Sequence, residues 1–240
     1  MIANLIKAEL YKLVHNKALW ILPLALVLFS SISIFSGTYD SAATAFEVMS
    51  EDSMSMLLGL SVFAAAIVAA DFRNRSLTHY IAAGHSRASI VLVKFLMLMI
   101  GSTVTVFAYP IIGTVLTGFI CGWGAPVGAL FVTMATTLLK MLPLMLCLVS
   151  VFMVFDVVIP NIIGSIGASL VVLIAGVVFT NKTYGANPAS LIRYSPVIQV
   201  SLAHDNAVGS AWGISIGIGI VLTLVCLAAS LVVYCNREVK

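Results

Sequence analysis

Six apolar runs of roughly transmembrane length dominate the sequence. They cover about residues 18–37, 55–70, 90–118, 127–155, 161–179 and 212–234. Strands of a membrane barrel alternate apolar and lumen-facing positions, whereas these runs are continuously apolar. A bilayer core of about 30 Å is crossed by about 20 helical residues. The pattern therefore predicts an all-α polytopic membrane protein, with six transmembrane helices in a single domain over residues 1–240.

Residues 2–17 precede the first run and have the period of an amphipathic helix. The apolar face consists of Ile2, Leu5, Ile6, Leu10, Leu13 and Val14, and the polar face of Asn4, Lys7, Tyr11, Lys12 and His15. We expect this helix to lie in the cytoplasmic interface, with its lysines toward anionic headgroups. Glu9 is the misfit, because it projects from the apolar face and a carboxylate there needs a partner. That partner is Lys12 or a basic group of a neighbouring subunit, unless Glu9 snorkels or pairs locally.

The longest polar and basic segment is the loop of residues 71–89, between the second and third runs. Within it, Ser76 as N-cap, the apolar Leu77, Tyr80 and Ile81, and Gly84 as terminator predict a short amphipathic helix over 76–83. Ser86 or Ser89 can cap the helix that follows. Two interpretations stay open: this helix receives force from a soluble partner, or the segment is a solvated positive-inside loop.

The distribution of basic residues predicts the orientation of the chain. One side holds Lys7, Lys12, Lys17, Arg73, Arg75, Arg87, Lys94, Arg237 and Lys240, and the other holds Lys182 and Arg193. Because cytoplasmic loops are rich in Lys and Arg, both termini are expected in the cytoplasm. Residues 38–54 and 180–211 are then external. Within the second of these segments, Asn187 as cap and Pro188 at the first helical position predict short re-entrant helices.

Composition supports a membrane protein and excludes several other classes. The chain is 61% hydrophobic and 9% charged, whereas soluble domains carry about 25% charged residues. The net charge of +3 does not point to a nucleic-acid partner. The four cysteines lack the spacing of a disulfide framework or metal site. A cleaved signal peptide is the competing interpretation of the first run, weakened by the amphipathic helix before it.

Lys140 is the one charged residue placed deep in an apolar run. If its helix leaves the bilayer near Phe155, Lys140 lies roughly 22–24 Å along the helix axis. The ammonium can then snorkel to the outer surface. Alternatively, Thr133, Thr137 and Lys140 form a polar stripe that lines a substrate path. The sequence leaves both interpretations open.

Motifs for catalysis and nucleotide binding are lacking. The sequence contains no G-x-x-x-x-G-K-[ST] loop, so we do not expect the chain to bind ATP in the usual way. His79 and His85 have no carboxylates or cysteines at metal-ligand spacing. Gly213 and Gly217 have the spacing of close helix packing, which we do not take as a ligand site. The chain is therefore expected to be neither an enzyme nor a metal protein.

Two stretches resemble the type-2 ATP-binding-cassette exporter permeases, in particular the small six-span bacterial members of the lantibiotic-immunity and bacitracin-resistance type. The first is the amphipathic opening from Lys7 to Lys12 followed by Trp20, and the second is Asp71 to Leu77 followed by Gly84 to Arg87. The resemblance covers the whole chain in topology, and in motif only residues 2–20 and 71–94.

The resemblance implies a role for each of these segments. Residues 2–17, including Glu9 and Lys12, would be the connecting helix, and 76–83 the coupling helix that docks on a separate ATPase subunit. The implied coupling residues are Asp71, Arg73, Arg75, Leu77, Tyr80, Ile81, Gly84 and Arg87. Residues 187–203 would be the external re-entrant helices.

The resemblance also implies an assembly and a location. ATP and Mg²⁺ would bind the partner ATPase, and this chain would carry no cofactor. A second copy or a related permease would complete the transporter in the bilayer of a bacterial cell membrane. The expected cargo is an antimicrobial peptide, a drug or another amphipathic molecule. The alternative is a secondary transporter or channel without an ATPase, which would favour broken helices and intramembrane carboxylates.

Overall fold

The computed structural model describes residues 2–35, 39–73, 76–159, 161–186, 194–201 and 209–236. Within these ranges the regular structure is helical. The helices are α1 Ile2–His15, α2 Lys17–Phe35, α3 Ala42–Glu51, α4 Ser53–Ile67, α5 Ala69–Arg73, α6 Ser76–Ala82, α7 Arg87–Cys121, α8 Val127–Val158, α9 Ile162–Ala186, α10 Pro196–Ser201 and α11 Gly209–Asn236. The prediction of an all-α protein is confirmed.

Five segments of the described residues are long and apolar enough to cross a membrane. They are Met54–Asp71, which joins α4 and α5, together with α7, α8, Ile162–Phe179 of α9 and Trp212–Asn236 of α11. They match the last five apolar runs of the sequence, so a polytopic arrangement is confirmed. Helix α2 occupies most of the first run, and residues 36–38 lie outside the described part of the chain.

Helices α4, α7 and α8 form the interior of the bundle. Between half and two thirds of the residues in their apolar segments are buried, against 17% for α9 and α11. Helices α7 and α8 are about 52 and 48 Å long at 1.5 Å per residue, longer than a bilayer core of about 30 Å. Their ends therefore extend beyond the hydrocarbon, while α9 and α11 present apolar faces outward.

The amphipathic helix predicted for residues 2–17 is present as α1, which ends at His15, and Asn16 separates it from α2. The Asn16 carbonyl accepts from the Leu19 amide at 3.1 Å, and its side-chain oxygen accepts from the Ala18 amide at 2.9 Å. The second bond caps the start of α2. The Trp20 indole donates to the Val14 carbonyl at 2.9 Å and so joins the two helices.

Helix α3 lies in the segment of residues 38–54, which the sequence predicts to be an external loop. Ser41 and Thr44 form a capping box at its start, and Phe46 is buried on its inner face. The amide of Ala42 donates to the Gly122 carbonyl at 2.9 Å, in the turn between α7 and α8. The helix was not predicted because its ten residues are too few to form a transmembrane run. It covers the end of the bundle opposite α1.

The predicted external segment of residues 180–211 is described only in part. Helix α9 continues to Ala186, α10 is one short helix, and α11 begins at Gly209. Helix α10 buries Ile198 and Val200, and its re-entrant position in the bilayer stays a prediction. Residues 187–193, with Arg193, and 202–208 lie outside the described residues.

We predict that Gly101→Ala destabilises the bundle where α7 crosses α4. A Cβ at position 101 would overlap the ring of Phe63, which is fully buried, and would lie 3.1 Å from Leu13 Cδ1. Such overpacking costs about 1–3 kcal/mol. Thermal unfolding in detergent micelles should show a lower midpoint. Gly128→Ala is the control, because a Cβ there meets nothing within 4 Å. Equal midpoints for the two variants would contradict the packing.

Candidate functional site

Four charged side chains meet at the end of the bundle where α1, α5 and α7 converge. They are Glu9 and Lys12 of α1, Asp71 of α5 and Lys94 of α7, and we call them the ionic cluster. Two carboxylates and two ammonium groups make it formally neutral. The cluster brings together residues that are up to 85 positions apart in the sequence.

Lys94 lies at the centre of the ionic cluster. Its ammonium donates to Glu9 Oε2 and to Asp71 Oδ2, and the side chains of Lys94, Glu9 and Asp71 are 6%, 3% and 11% exposed. Lys12 completes the cluster from the solvent side, with a side chain that is 44% exposed. Its Nζ lies 2.8 Å from Asp71 Oδ1 and 3.7 Å from Glu9 Oε1.

The depth of Lys94 makes this pairing obligatory. The residue lies in the third turn of α7, about 10 Å along the axis from Arg87. An ammonium buried among apolar side chains is costly unless it is paired and hydrogen-bonded. Intramembrane charges of this kind usually mark functional positions. Because both carboxylates come from other helices, α1 and α5 can leave α7 only by exposing that charge to apolar surroundings.

Tyr80 connects α6 to the ionic cluster. Its hydroxyl donates to Glu9 Oε1 at 2.5 Å, and Lys12 Nζ lies 5.9 Å from the centre of its ring. Burial, together with the hydrogen bond to the Glu9 carboxylate, raises the pKa of Tyr80, so the phenol is held in its neutral donor form. The Tyr80 side chain therefore attaches helix α6 to α1.

The turn that follows α6 has the sequence-predicted geometry. Gly84 has a φ of 83°, in the left-handed region that favours glycine. Its amide donates to the Ile81 carbonyl at 2.9 Å, and the His85 amide donates to the Tyr80 carbonyl at 3.1 Å. Ser86 then caps α7 by accepting from the Ser89 amide at 3.2 Å. The predicted helix 76–83 is observed as Ser76–Ala82.

The residues expected to couple to an ATPase occupy different environments. Asp71 belongs to the ionic cluster, and Tyr80 and Ile81 pack against the main hydrophobic core. Gly84 is exposed in the turn. His79, Ala82 and Ala83, which were not among the implied coupling residues, are exposed with it. The side chains of Arg73 and Leu77, and all of Arg75, lie outside the described residues. The described outward face of this region is therefore His79, Ala82, Ala83 and Gly84.

Arg87 contacts the far end of the chain. Its Nη1 donates to the carbonyl of Cys235 at 2.8 Å, in the last turn of α11. The last carbonyls of a helix lack intrahelical partners and carry partial negative charge, so a guanidinium there is favourable. This bond places the C-terminal end of α11 beside the start of α7. Both described ends of the chain thus lie at the same end of the bundle.

The structure identifies the partners of Glu9 and shows what the sequence missed. Glu9 is buried and is bound by Lys94, Tyr80 and, more distantly, Lys12. The sequence predicted Lys12 as a partner, whereas it predicted Lys94 only as an orientation charge and as the end of the motif over residues 71–94. One clue was available: Glu9 is a lone acid on an apolar face and Lys94 a lone base inside an apolar run. Opposite charges in such places can satisfy each other.

The candidate substrate path on α8 is not a uniform stripe. Thr133 is exposed and donates to its own helix at Ala129, Thr137 is buried, and Lys140 is half-buried. The Lys140 carbonyl accepts from the Trp212 indole at 3.2 Å, which joins α8 to α11. Snorkelling and a path role for Lys140 both stay predictions.

A third buried carboxylate, besides those of Glu9 and Asp71, lies at the cluster end of α8. Asp156 is fully buried, and the Ser165 hydroxyl of α9 donates to its Oδ1. This bond joins α8 to α9 close to their short connection. Among the described residues, no group of three or more His, Cys, Asp or Glu side chains is arranged to hold a metal ion.

A scan of the sequence against protein-family models finds no match, and a search of curated proteins finds none.

We predict that Lys94→Met costs about 3–5 kcal/mol of stability, the usual cost of breaking a buried ion pair. The substitution leaves Glu9 and Asp71 without their shared ammonium, and Lys12 can neutralise only one carboxylate. Adding Glu9→Gln should recover part of the loss, because it removes the uncompensated charge. Thermal unfolding of the two single variants and the double variant measures this coupling. The control is Lys17→Met on exposed α2 surface; if it matches Lys94→Met, the cluster does not stabilise the fold.

We predict that Tyr80→Phe lowers stability by about 1 kcal/mol, the usual scale of one hydrogen bond at a partly exposed site. Because folding raises the pKa of Tyr80, the stabilisation is complete below the unfolded value of about 10 and is lost as the pH rises further. The difference from wild type should therefore shrink at alkaline pH. Tyr11→Phe, at a side chain that is 67% exposed, is the control. A constant difference up to pH 11 would contradict the assignment.

Proposed function

We propose that this chain is the membrane-spanning subunit of an ATP-driven exporter, similar to the type-2 ATP-binding-cassette permeases. It would move an antimicrobial peptide, a drug or another amphipathic molecule out of the membrane or the cytoplasm. The observation that carries the proposal is the ionic cluster with Tyr80, which joins the short helix α6 to both α1 and α7. A helix held in this way can pass a displacement from a soluble partner to the bundle.

The two sides of α6 suit this role. Tyr80 and Ile81 fix one side to the bundle, while His79, Ala82 and Ala83 are exposed on the other. A partner that displaces the exposed side would act through Tyr80 on Glu9, and through Lys94 on α7. Coupling of this kind requires only that the partner contacts α6 differently in its two states.

ATP hydrolysis would take place in a separate subunit. The sequence has no phosphate-binding loop of the usual form, so ATP and Mg²⁺ would bind a nucleotide-binding partner. A second copy of this chain or a related permease would complete the membrane part. Thr133, Thr137 and Lys140 would contribute to the substrate path, whose other walls are apolar.

We expect Ala82→Glu to reduce association with the ATPase at least fivefold. The experiment expresses the tagged chain with a P-loop ATPase encoded next to its gene and measures the ATPase retained on purification. Ala82 is exposed on α6, so a carboxylate there disturbs docking without entering the core. Val48→Glu, on the exposed side of α3 at the other end of the bundle, is the matched control.

Two results would contradict the proposal. Equal retention of the ATPase by both variants would exclude α6 as its docking element. Transport by the purified chain in vesicles, driven by an ion gradient and without any ATPase, would favour a secondary transporter or channel.

A further inference from the structure

An apolar cavity of about 150 Å³ lies between α4, α8, α9 and α10. Its lining consists of one residue of α4, three of α8, four of α9 and one of α10, and every one of them is apolar. The cavity is separate from the ionic cluster and plays no part in the coupling argued above. The wall includes Leu57 of α4, Phe152 of α8, Gly176 of α9 and Val197 of α10.

The cavity lies at the depth of the hydrocarbon core. Leu148 is about 15 Å along α8 from Val158, and Gly176 is about 21 Å along α9 from Ile162. Val158 and Ile162 lie on either side of the short α8–α9 connection, at the end of the bundle that holds the ionic cluster. Leu148 and Gly176 both lie within the apolar segments that are long enough to cross a core of about 30 Å.

The cavity connects the lipid-facing surface with the interior. Val172 lines it and is 43% exposed, whereas Leu57 and Leu173 line it and are 1% and 7% exposed. Helix α9 supplies the largest share of the wall. Only 17% of the residues in its spanning segment are buried, the same fraction as in α11. The opening therefore faces the region that the bilayer fills.

Gly176 keeps part of this space free. A Cβ at Gly176 would meet no atom within 4 Å, although the residue lies in the cavity wall. In a transmembrane helix, a glycine usually allows another helix to approach closely. Among the described residues no helix occupies this gap, and there the lining atoms lack the dispersion contacts that a packed interior provides.

Water is a poor occupant of this cavity, because a buried water needs two to four polar partners and the lining side chains offer none. Acyl chains surround the opening and have the required apolarity and flexibility. We propose that the cavity binds a segment of one acyl chain of a bilayer lipid, which enters beside Val172 and ends against Leu57. The lipid would then fill a gap in the bundle that the protein's own side chains leave open.

The experiment counts the lipid retained by the full-length chain after purification in detergent, by native mass spectrometry. We expect about one phospholipid per wild-type chain, and at least a fivefold loss of that species in Gly176→Leu, whose side chain occupies the cavity. Val151→Phe fills the same cavity from α8 and should act alike. Gly167→Leu is the matched control, because it lies on α9 outside the cavity lining and its Cβ also meets nothing.

A second measurement uses only the wild-type chain. A phospholipid with a photoreactive acyl chain is incorporated, unbound lipid is removed by detergent exchange, and the crosslinked residues are mapped. We expect crosslinks at the α8 and α9 residues of the cavity wall. No retained lipid, detergent alone in the cavity, equal loss in Gly167→Leu, or crosslinks only on the outer face of α11 would each overturn the proposal. So would crosslinks between two copies of the chain at Val172, because a second copy would then cover the opening.

Discussion

The ammonium of Lys94, held between the carboxylates of Glu9 and Asp71, is the interaction on which this end of the molecule depends. In an interior with a low dielectric constant, a buried charge is tolerated only when its partners are close and well oriented. The requirement is mutual, since each carboxylate would be stranded without the ammonium. Three helices that share no turn or loop with one another are thereby held at one point. Apolar packing alone would leave their relative rotation less sharply defined.

Different kinds of contact hold the helices together at the two ends of the bundle. At the cluster end, charged and hydrogen-bonding groups connect α1, α5, α6, α7 and the end of α11. At the other end, α3 packs Phe46 against Leu130 and Met134 of α8, with backbone bonds to the α7–α8 turn. Apolar contacts change little when one helix slides on another, whereas ion pairs weaken steeply with distance and angle. The contacts at the cluster end therefore respond more strongly to a small displacement of one helix than the apolar contacts at the other end.

The sequence predicted those features of the fold that depend on residues close together in the chain. The apolar runs gave the spanning helices, and Gly84 and Ser86 gave the end of α6 and the start of α7, because a left-handed turn and an N-cap depend on nearby residues alone. The misfit of Glu9 on an apolar face indicated a hidden partner. That the partner is Lys94 could not be read from the sequence, because it depends on how α1 crosses α7. The apolar cavity was equally hidden, since a gap between four helices has no pattern in any one of them.

Local residues predict that helix α6 forms, but which side of α6 faces the bundle depends on residues distant in the sequence. Leu77, Tyr80 and Ile81 share one helical face, and an apolar face can point toward a partner or toward the protein's own core. The neighbouring carboxylate decides between them, because Tyr80 reaches Glu9 only when the side of α6 that carries Tyr80 turns inward. The exposed side is then left to His79, Ala82 and Ala83, two of which have short side chains. Because alanine side chains are short, the backbone of α6 lies close to the surface on this side of the helix.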